Sequence, residues 1–381
     1  PLYTDDRAEN AAYILGDSGA RLLLLEDQKQ WQPLKELRAQ MGDLFRVITI
    51  NPLENLTKDA MNNDLSALCD WLPEEAGEVQ HANHEPNDLA TIMYTSGTSG
   101  RPKGVMLSHH NLLTNANSCL QIVSVSPDDL FLSFLPLSHA FERTVGYYLP
   151  VMTGATVAYA RSIQQLQEDL ISVRPSVLIS VPRIYDRVYA AIHAKLEKKS
   201  AISRLIFNYA VEVGYSRFEF QQQRGPKKIS HLLWPLLNAL VAKEVMGRLG
   251  GRLRLAMAGG APLSTEVSHM FIGLGLPILQ GYGMTECSPV ACVNSIENNV
   301  PSSVGHVIPD VSVKLGENNT LLIHGPNVML GYWNNPEATA AILGPDGWLN
   351  SGDMARIDDG IITITGRLKE IIVMSTGEKI P

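Results

Sequence analysis

Short continuous apolar runs alternate along this chain with stretches whose apolar positions recur every three or four residues. The first pattern predicts buried strands and the second amphipathic helices. Helical spacing covers residues 8–15 and 31–40, and strands are predicted at 21–25 and 46–50. Residues 51–87 are polar, with scattered Pro and Asn, and read as a loop-rich connection. A strand at 89–95 leads towards a long helix over 108–123, with Ser108 as its N-cap. Further strands are predicted at 130–134, 155–160, 177–181, 253–257 and 277–280, most of them separated by helical stretches. Such alternation implies an α/β fold of parallel sheets with helices on both faces.

From about residue 300 the texture changes. Short alternating runs at 311–315, 321–324, 353–357 and 361–365 sit between Gly, Pro and Asn turns, which predicts a small, distorted β-barrel subdomain. The expected organisation is therefore an α/β part over 1–300 and a β-rich part over 301–381. A helical insertion is expected near 195–245. Between Lys195 and Lys243 nine residues are basic and three acidic, and Ile202, Leu205, Ile206, Tyr209, Ala210 and Val213 form a helical stripe. One reading is a helical excursion packed on the core with a solvated basic face. The other is contact with an anionic membrane surface or an acidic partner.

Composition narrows the function. Apolar residues make up 45% and charged residues 18%, enough for a large core and too few charges for disorder. The net charge of −8 argues against a general nucleic-acid binder, whose surface must attract phosphate. Cys69, Cys119, Cys287 and Cys292 lack metal-ligand spacing, which points to a reducing, cytoplasmic setting. The longest apolar run, 232–242, is interrupted by Pro235 and Asn238 and falls short of a membrane span. The chain starts at Pro1 without a Met and stops after a strand-like run at 370–374, so both ends are expected to be cut from a longer sequence.

The segment Tyr94-Thr95-Ser96-Gly97-Thr98-Ser99-Gly100-Arg101-Pro102-Lys103-Gly104 carries the most chemistry. Three glycines, two threonines, two serines, an arginine and a lysine fall within eleven residues directly after a strand. Glycines let backbone N–H groups approach an anion, while hydroxyls and Lys103 add donors and charge, so a triphosphate is the natural ligand. The plain alternative is a solvated surface turn. A Walker A loop does not fit, because Pro102 separates Arg101 from Lys103 and Gly104-Val105 follows where Ser or Thr is needed.

At these residues the chain resembles the adenylate-forming (AMP-binding) superfamily of acyl-CoA synthetases, peptide-synthetase adenylation domains and luciferases. Five further segments resemble that family's motifs in the family's order. They are Leu135-Pro136-Leu137-Ser138-His139-Ala140-Phe141-Glu142-Arg143, Gly259-Gly260-Ala261-Pro262-Leu263, Gly281-Tyr282-Gly283-Met284-Thr285-Glu286, and the pair 346–353 with 366–370. Within the superfamily, Pro182-Arg183-Ile184-Tyr185, the Phe-Glu-Arg ending after His139 and the long insertion resemble long-chain fatty acid–CoA ligases.

The resemblance implies a two-step ligase. A fatty acid carboxylate attacks the α-phosphate of ATP to give acyl-adenylate and pyrophosphate, and the thiol of coenzyme A then displaces AMP. The first step needs charge neutralisation more than acid–base chemistry, since the carboxylate is already a nucleophile. On this resemblance Thr95, Ser96, Gly97, Thr98, Ser99, Gly100 and Lys103 would hold the β- and γ-phosphates. Gly260, Ala261, Gly281, Tyr282 and Gly283 would border the adenine. Thr285 would bond the α-phosphate, Glu286 would bind Mg²⁺, and His139 would sit near the acyl carboxylate. Asp353 would take the ribose hydroxyls with Arg367 in support, and Lys369 would mark the hinge to a C-terminal lid. A lysine that the family carries on that lid has no counterpart here, so poor turnover is expected of these residues alone. A medium-chain or aryl acid–CoA ligase, a ligase loading a carrier protein and a non-catalytic nucleotide-binding module stay open. So does oligomeric state, a homodimer included, and so does peripheral contact with the inner face of a membrane.

Overall fold

The computed structural model describes residues 1–4, 6–53, 65–75, 77–78, 82–95 and 101–368, together with the backbone of 372–373 and 379–380. The chain forms two compact units, residues 1–108 with 330–336 and residues 109–329 with 337–381. Residue 300 lies inside the second.

In the first unit, β1 (Leu22–Leu25), β2 (Arg46–Thr49) and β3 (Leu65–Ala67) pair in parallel in that order. The helices Ala8–Asp17 and Gln28–Lys35 bury Ala12, Leu15, Trp31 and Leu34 against Leu23 and Val47. Asp27 caps the second of these helices by accepting from the N–H groups of Lys29 and Gln30, 2.9 and 3.2 Å away. Strand β3 and the short helix Leu68–Trp71 lie within the loop-rich connection expected over 51–87. Three residues are too few to show an alternating period, so the strand exists through its pairing rather than its pattern.

β4 (Leu89–Thr95) and β5 (Lys103–Ser108) form an antiparallel pair, and a two-residue strand from far along the chain, β15 (Gly331–Tyr332), adds to β5. β5 was not foreseen. Its Val105 and Leu107 are buried but Gly104 breaks the alternation, and the chain enters its helix, His109–Leu120, immediately afterwards.

The second unit is built on a seven-stranded sheet in the order β12-β11-β10-β9-β8-β6-β7. Here β6 is Leu130–Ser133, β7 Thr156–Tyr159, β8 Val177–Ser180, β9 Leu255–Ala258, β10 Ile278–Gly283, β11 Val290–Val293 and β12 His306–Val307. Strands β6 to β10 run parallel, while β11 and β12 are antiparallel additions at one edge. Every residue of β8 and β9 is buried, as expected of a parallel sheet covered on both faces. Asp129 pins the start of β6. It accepts from Ser176 Oγ at 2.7 Å, from Ser126 N–H at 2.9 Å and from the Arg254 guanidinium. Burial alone would raise its pKa, but Arg254 and the hydroxyl and amide donors outweigh that and hold the carboxyl at about 2.

A four-stranded antiparallel sheet follows, made of β13 (Ser312–Leu315), β14 (Thr320–His324), β16 (Leu349–Asp358) and β17 (Ile361–Arg367). Register shifts between Thr320 and Leu322 and between Met354 and Ala355 curl it, giving the distorted barrel-like sheet expected from the alternating runs. Beyond it, β18 (Ile372–Val373) pairs with β19 (Lys379–Ile380).

The expected insertion is helical. Near 195–245 the chain holds the end of the helix Pro182–Glu197, the helix Ala201–Gln221 and a helical stretch over 229–247. Ala201–Gln221 packs on Thr265–Gly273 through two glycines that leave no room between the backbones. A Cβ on Gly214 would lie 1.8 Å from the Gly273 carbonyl oxygen, and one on Gly273 would lie 2.5 Å from that of Val211. The predicted apolar stripe divides along its length, with Ala210 and Val213 in the core and Ile202 and Leu205 each 70% exposed. Gly214→Ala must separate the two helices, so it should cost about 1–3 kcal/mol, read as a lower urea midpoint at unchanged slope.

Candidate active site

In an open parallel sheet the carboxyl ends of the strands form the natural binding edge. At that edge β8 ends in Ser180, β9 runs into Gly259, Gly260 and Ala261, and β10 ends in Gly281, Tyr282 and Gly283. Gly260 adopts a φ of +81°, and it and Ala261 are exposed. After Gly283 the chain makes a single 3-10 turn, Thr285–Cys287, and returns as β11. Only glycine fits at 283, because a Cβ there would sit 1.9 Å from the Pro289 carbonyl oxygen.

Three of the expected site residues meet through their side chains. Tyr282 Oη donates to Asp353 Oδ2 at 2.6 Å, and Arg367 Nε donates to Asp353 Oδ1 at 2.8 Å. The curled sheet sets this up, since Asp353 on β16 and Arg367 on β17 are register partners. Burial and the adjoining Asp353 carboxylate both raise the Tyr282 pKa, so its phenol stays protonated. Asp353 is buried, whereas the Arg367 side chain is 61% exposed; the ion pair is screened and serves orientation more than stability. An ionised carboxylate offers about four acceptor positions. Tyr282 and Arg367 use one on each oxygen, which leaves capacity for two adjacent hydroxyls.

Thr285 is half-buried and Glu286 buried. The turn carrying them is held by polar side chains that the sequence did not flag. Asn115, on the helix His109–Leu120, donates to the Val290 carbonyl at 2.7 Å and accepts from the Val290 N–H at 3.2 Å. Asn327 donates to the carbonyls of Cys287 and Val290 at 3.0 and 3.1 Å. Ser288 Oγ donates to the Asn327 carbonyl at 2.8 Å, Thr144 Oγ1 to the Ser288 carbonyl at 2.9 Å, and Met329 N–H to the Glu286 carbonyl at 2.9 Å. Asn115 and Asn327 are fully buried. The available signal was two asparagines, Asn111 and Asn115, one turn apart on an otherwise apolar helical face. The Cys287 thiol is also buried, which pushes its pKa up to about 12 and makes it a packing group rather than a nucleophile.

The segment after β6 carries His139 and Glu142, and Glu142 meets Ser133 at the end of that strand. His139 is exposed as a residue, yet protein packed around its imidazole disfavours the charged form and lowers its pKa; its Nδ1 lies 3.3 Å from the Phe141 N–H. Glu142 is fully buried. Its Oε1 accepts from Ser133 Oγ at 2.5 Å, while Oε2 has no hydrogen-bond partner among the described residues. Burial raises its pKa to about 7, with the Ser133 hydrogen bond opposing part of the rise.

Thr95 and Lys103 belong to the first unit, where the register of β4 and β5 pairs them directly across the strands. The Lys103 ammonium lies 5.1 Å from the centre of the Tyr332 ring. Tyr94 Oη donates to Asp17 Oδ2 at 2.5 Å, and the Trp333 indole donates to the Asp17 carbonyl at 2.8 Å. Ser96, Gly97, Thr98, Ser99, Gly100 and Lys369 lie outside the described residues. Among the described residues no group of three or more His, Cys, Asp or Glu side chains could hold a metal ion.

A profile of AMP-binding enzymes matches residues 1–333. The chain belongs to the AMP-binding enzyme family. Among relatives, a long-chain-fatty-acid–CoA ligase of Mycobacterium bovis is 31% identical over 388 aligned residues, covering all of this chain and 62% of its own length. A chloroplastic long-chain-fatty-acid–[acyl-carrier-protein] ligase of Arabidopsis thaliana is 32% identical over 343 residues, 78% of this chain and 47% of its own. This chain thus spans less than two thirds of either relative. Among solved structures, ATP-bound MatB of Rhodopseudomonas palustris superposes with a TM-score of 0.73 at 24% identity, over all of this chain and 65% of that one. That likeness establishes the shared AMP-binding enzyme fold.

Two outcomes test the site's construction. Asn115→Ala strands the Val290 N–H in a dry interior and leaves its carbonyl with Asn327 alone, so it should lower stability by about 1–3 kcal/mol in urea unfolding. For Glu142 the sign follows from its raised pKa. The native state keeps the proton between the ordinary carboxyl value of 4.5 and about 7, where the unfolded chain has lost it. Stability therefore falls as pH rises through that window, and the cost is complete above it. Glu142→Gln should remove this slope and exceed the unsubstituted chain by about 3 kcal/mol at pH 8, measured as the difference in melting temperature against pH.

Proposed function

We propose that this chain supplies the nucleotide-binding and acid-activating part of an ATP-dependent long-chain fatty acid–CoA ligase. The observation that carries the reading is the Tyr282–Asp353–Arg367 cluster beside the Thr285–Glu286 turn. It sets an aromatic face, a carboxylate with spare acceptor capacity and a polar turn at the binding edge of a parallel sheet. That combination suits the base, ribose and phosphate of a nucleoside monophosphate. Membership of the AMP-binding enzyme family and the name of the Mycobacterium bovis relative support the reaction and the substrate class.

In the activating step an oxygen of the acid carboxylate forms a bond to the α-phosphorus, and the bond from that phosphorus to the pyrophosphate oxygen breaks. The reactants are both anionic, so the barrier is set by charge repulsion. Thr285 donates its hydroxyl to the α-phosphate, which offsets part of that repulsion. His139, whose neutral form is favoured by its surroundings, is the candidate neighbour of the incoming acid. Glu286 is the hard oxygen donor for a magnesium ion. A single carboxylate fits, because Mg²⁺ is commonly held by one or two carboxylates together with substrate phosphates. When bound, the ion would spread the negative charge that develops on the phosphates. In the second step the sulfur of coenzyme A bonds to the acyl carbon while the acyl carbon–oxygen bond to AMP breaks.

Transfer to a carrier protein instead of coenzyme A is a second reading, favoured by the name of the Arabidopsis relative. Supplying each acceptor with ATP and palmitate separates the two readings, since only one thioester forms.

Calorimetric titration with non-hydrolysable acyl-adenylate analogues tests the whole reading. Affinity should rise by up to about 0.8 kcal/mol per methylene and keep rising to long chains. An early plateau would move the substrate to short or medium acids, and no binding at all would overturn the ligase. Asp353→Asn should weaken the same analogues by about 1.5–3 kcal/mol at every chain length, leaving the methylene increment intact.

A further inference from the structure

The insertion carries a surface that the nucleotide chemistry does not use. The helical stretch 229–247 is apolar on two opposite sides. Leu237, Val241, Ala242 and Val245 are buried in the core, with Trp234 packed against it. Ile229, Leu232, Leu233, Leu236 and Leu240 recur at helical spacing on the other side and are exposed by 46% to 87%. The helix Ala201–Gln221 packs against this stretch and adds Ile202, Leu205, Ile206 and Tyr209, again at helical spacing and exposed. The two are tied at Ser216 Oγ and His231 Nε2, 3.2 Å apart, and by the Arg217 guanidinium over the Trp234 ring.

Isolated exposed leucines are ordinary, but two aliphatic stripes on one helical hairpin are not. Charge says what covers them. Lys198, Lys199 and Arg204 stand at the start of the first helix, Lys227 and Lys228 lead into the second and Lys243 lies on it, all exposed. Nine basic against three acidic residues over 195–243 make this segment strongly positive within a chain of net charge −8. A second copy of the chain would bring the same positive segment against itself in a two-fold contact. An anionic bilayer offers complementary charge and an apolar interior together. No helix among the described residues is long and apolar enough to cross a membrane, so the hairpin would lie in the interface.

We propose that the 201–243 hairpin is a membrane-docking surface that seats its aliphatic stripes at the headgroup–acyl boundary of an anionic bilayer. Docking needs neither nucleotide nor acid, so it stands or falls apart from the ligase reading.

Co-sedimentation of the full chain with phosphatidylcholine vesicles, with and without phosphatidylglycerol, tests it. The chain should pellet with the anionic vesicles at low salt and less at high salt. Leu232→Ser with Leu236→Ser and Leu240→Ser should reduce partitioning by at least about tenfold while the circular dichroism spectrum is kept. Lys227→Gln with Lys228→Gln should erase most of the preference for anionic vesicles and leave the melting temperature in place. Absence of binding at low salt would overturn the proposal, as would aliphatic and lysine variants that bind like the parent. A dimer that the leucine substitutions dissolve, with no vesicle binding, would reassign the face to self-association. Should the leucine variant misfold, the lysine pair decides, and unchanged anionic preference there rejects docking.

Discussion

Much of the second unit's chemistry depends on one constraint, that buried backbone polar groups must find partners. Between Gly283 and Val290 the chain leaves the sheet, makes one tight turn and re-enters antiparallel, so its carbonyls point away from any strand that could pair with them. Left unpaired in the interior, each would cost about 1–3 kcal/mol. Asn115, Asn327 and Thr144 satisfy those of Val290, Cys287 and Ser288 instead. An amide can donate and accept at once, and Asn115 does both to a single residue, Val290. The consequence is that Thr285 and Glu286 sit on a turn whose backbone is held by side chains from distant parts of the same unit.

The Tyr282–Asp353–Arg367 cluster follows a similar logic. Asp353 is desolvated, which would be costly for an unpartnered charge. Tyr282 and Arg367 supply the compensating donors, each to a different carboxylate oxygen, and neither consumes the whole acceptor capacity. Removing water from Asp353 strengthens any further hydrogen bond it accepts, and the curled sheet fixes the direction from which that bond must come. The bulge between Met354 and Ala355 falls directly after Asp353, where a change of strand direction aims the side chain.

What the sequence made legible is divided by the range of the interaction. Strands β6, β8 and β9 were readable because burial on both faces leaves a continuous apolar run. The site motifs were readable because glycines, a tyrosine, a glutamate and an aspartate in short fixed strings mark local geometry. β3 and β5 were not, since three residues show no period and Gly104 interrupts one. Nor were Asn115, Asn327 and Glu142, whose meaning lies in partners far along the chain or in a fully dry setting that no local pattern encodes. The stripe at 202–213 was legible as a helix but not as a surface. Whether its apolar positions face core or solvent is decided by where Thr265–Gly273 lies, and that contact depends on the absence of a Cβ at Gly214 and Gly273.

That last dependence explains how one hairpin serves two environments. Close approach at Gly214 and Gly273 draws the second half of Ala201–Gln221 into the core and lets the Trp234 ring close over it. The first half is then left projecting past the helix it packs against, with Ile202 and Leu205 in contact with solvent. A helix that is apolar all round is normally buried all round. Here 229–247 is apolar on both sides and buried on one, with Leu232, Leu236 and Leu240 exposed among the described residues. The internal packing therefore fixes the external face. Any change that relaxes the Gly214 crossing shifts the orientation of the exposed leucines as well as lowering stability, so the core contact and the outer surface are set by a single geometric fit.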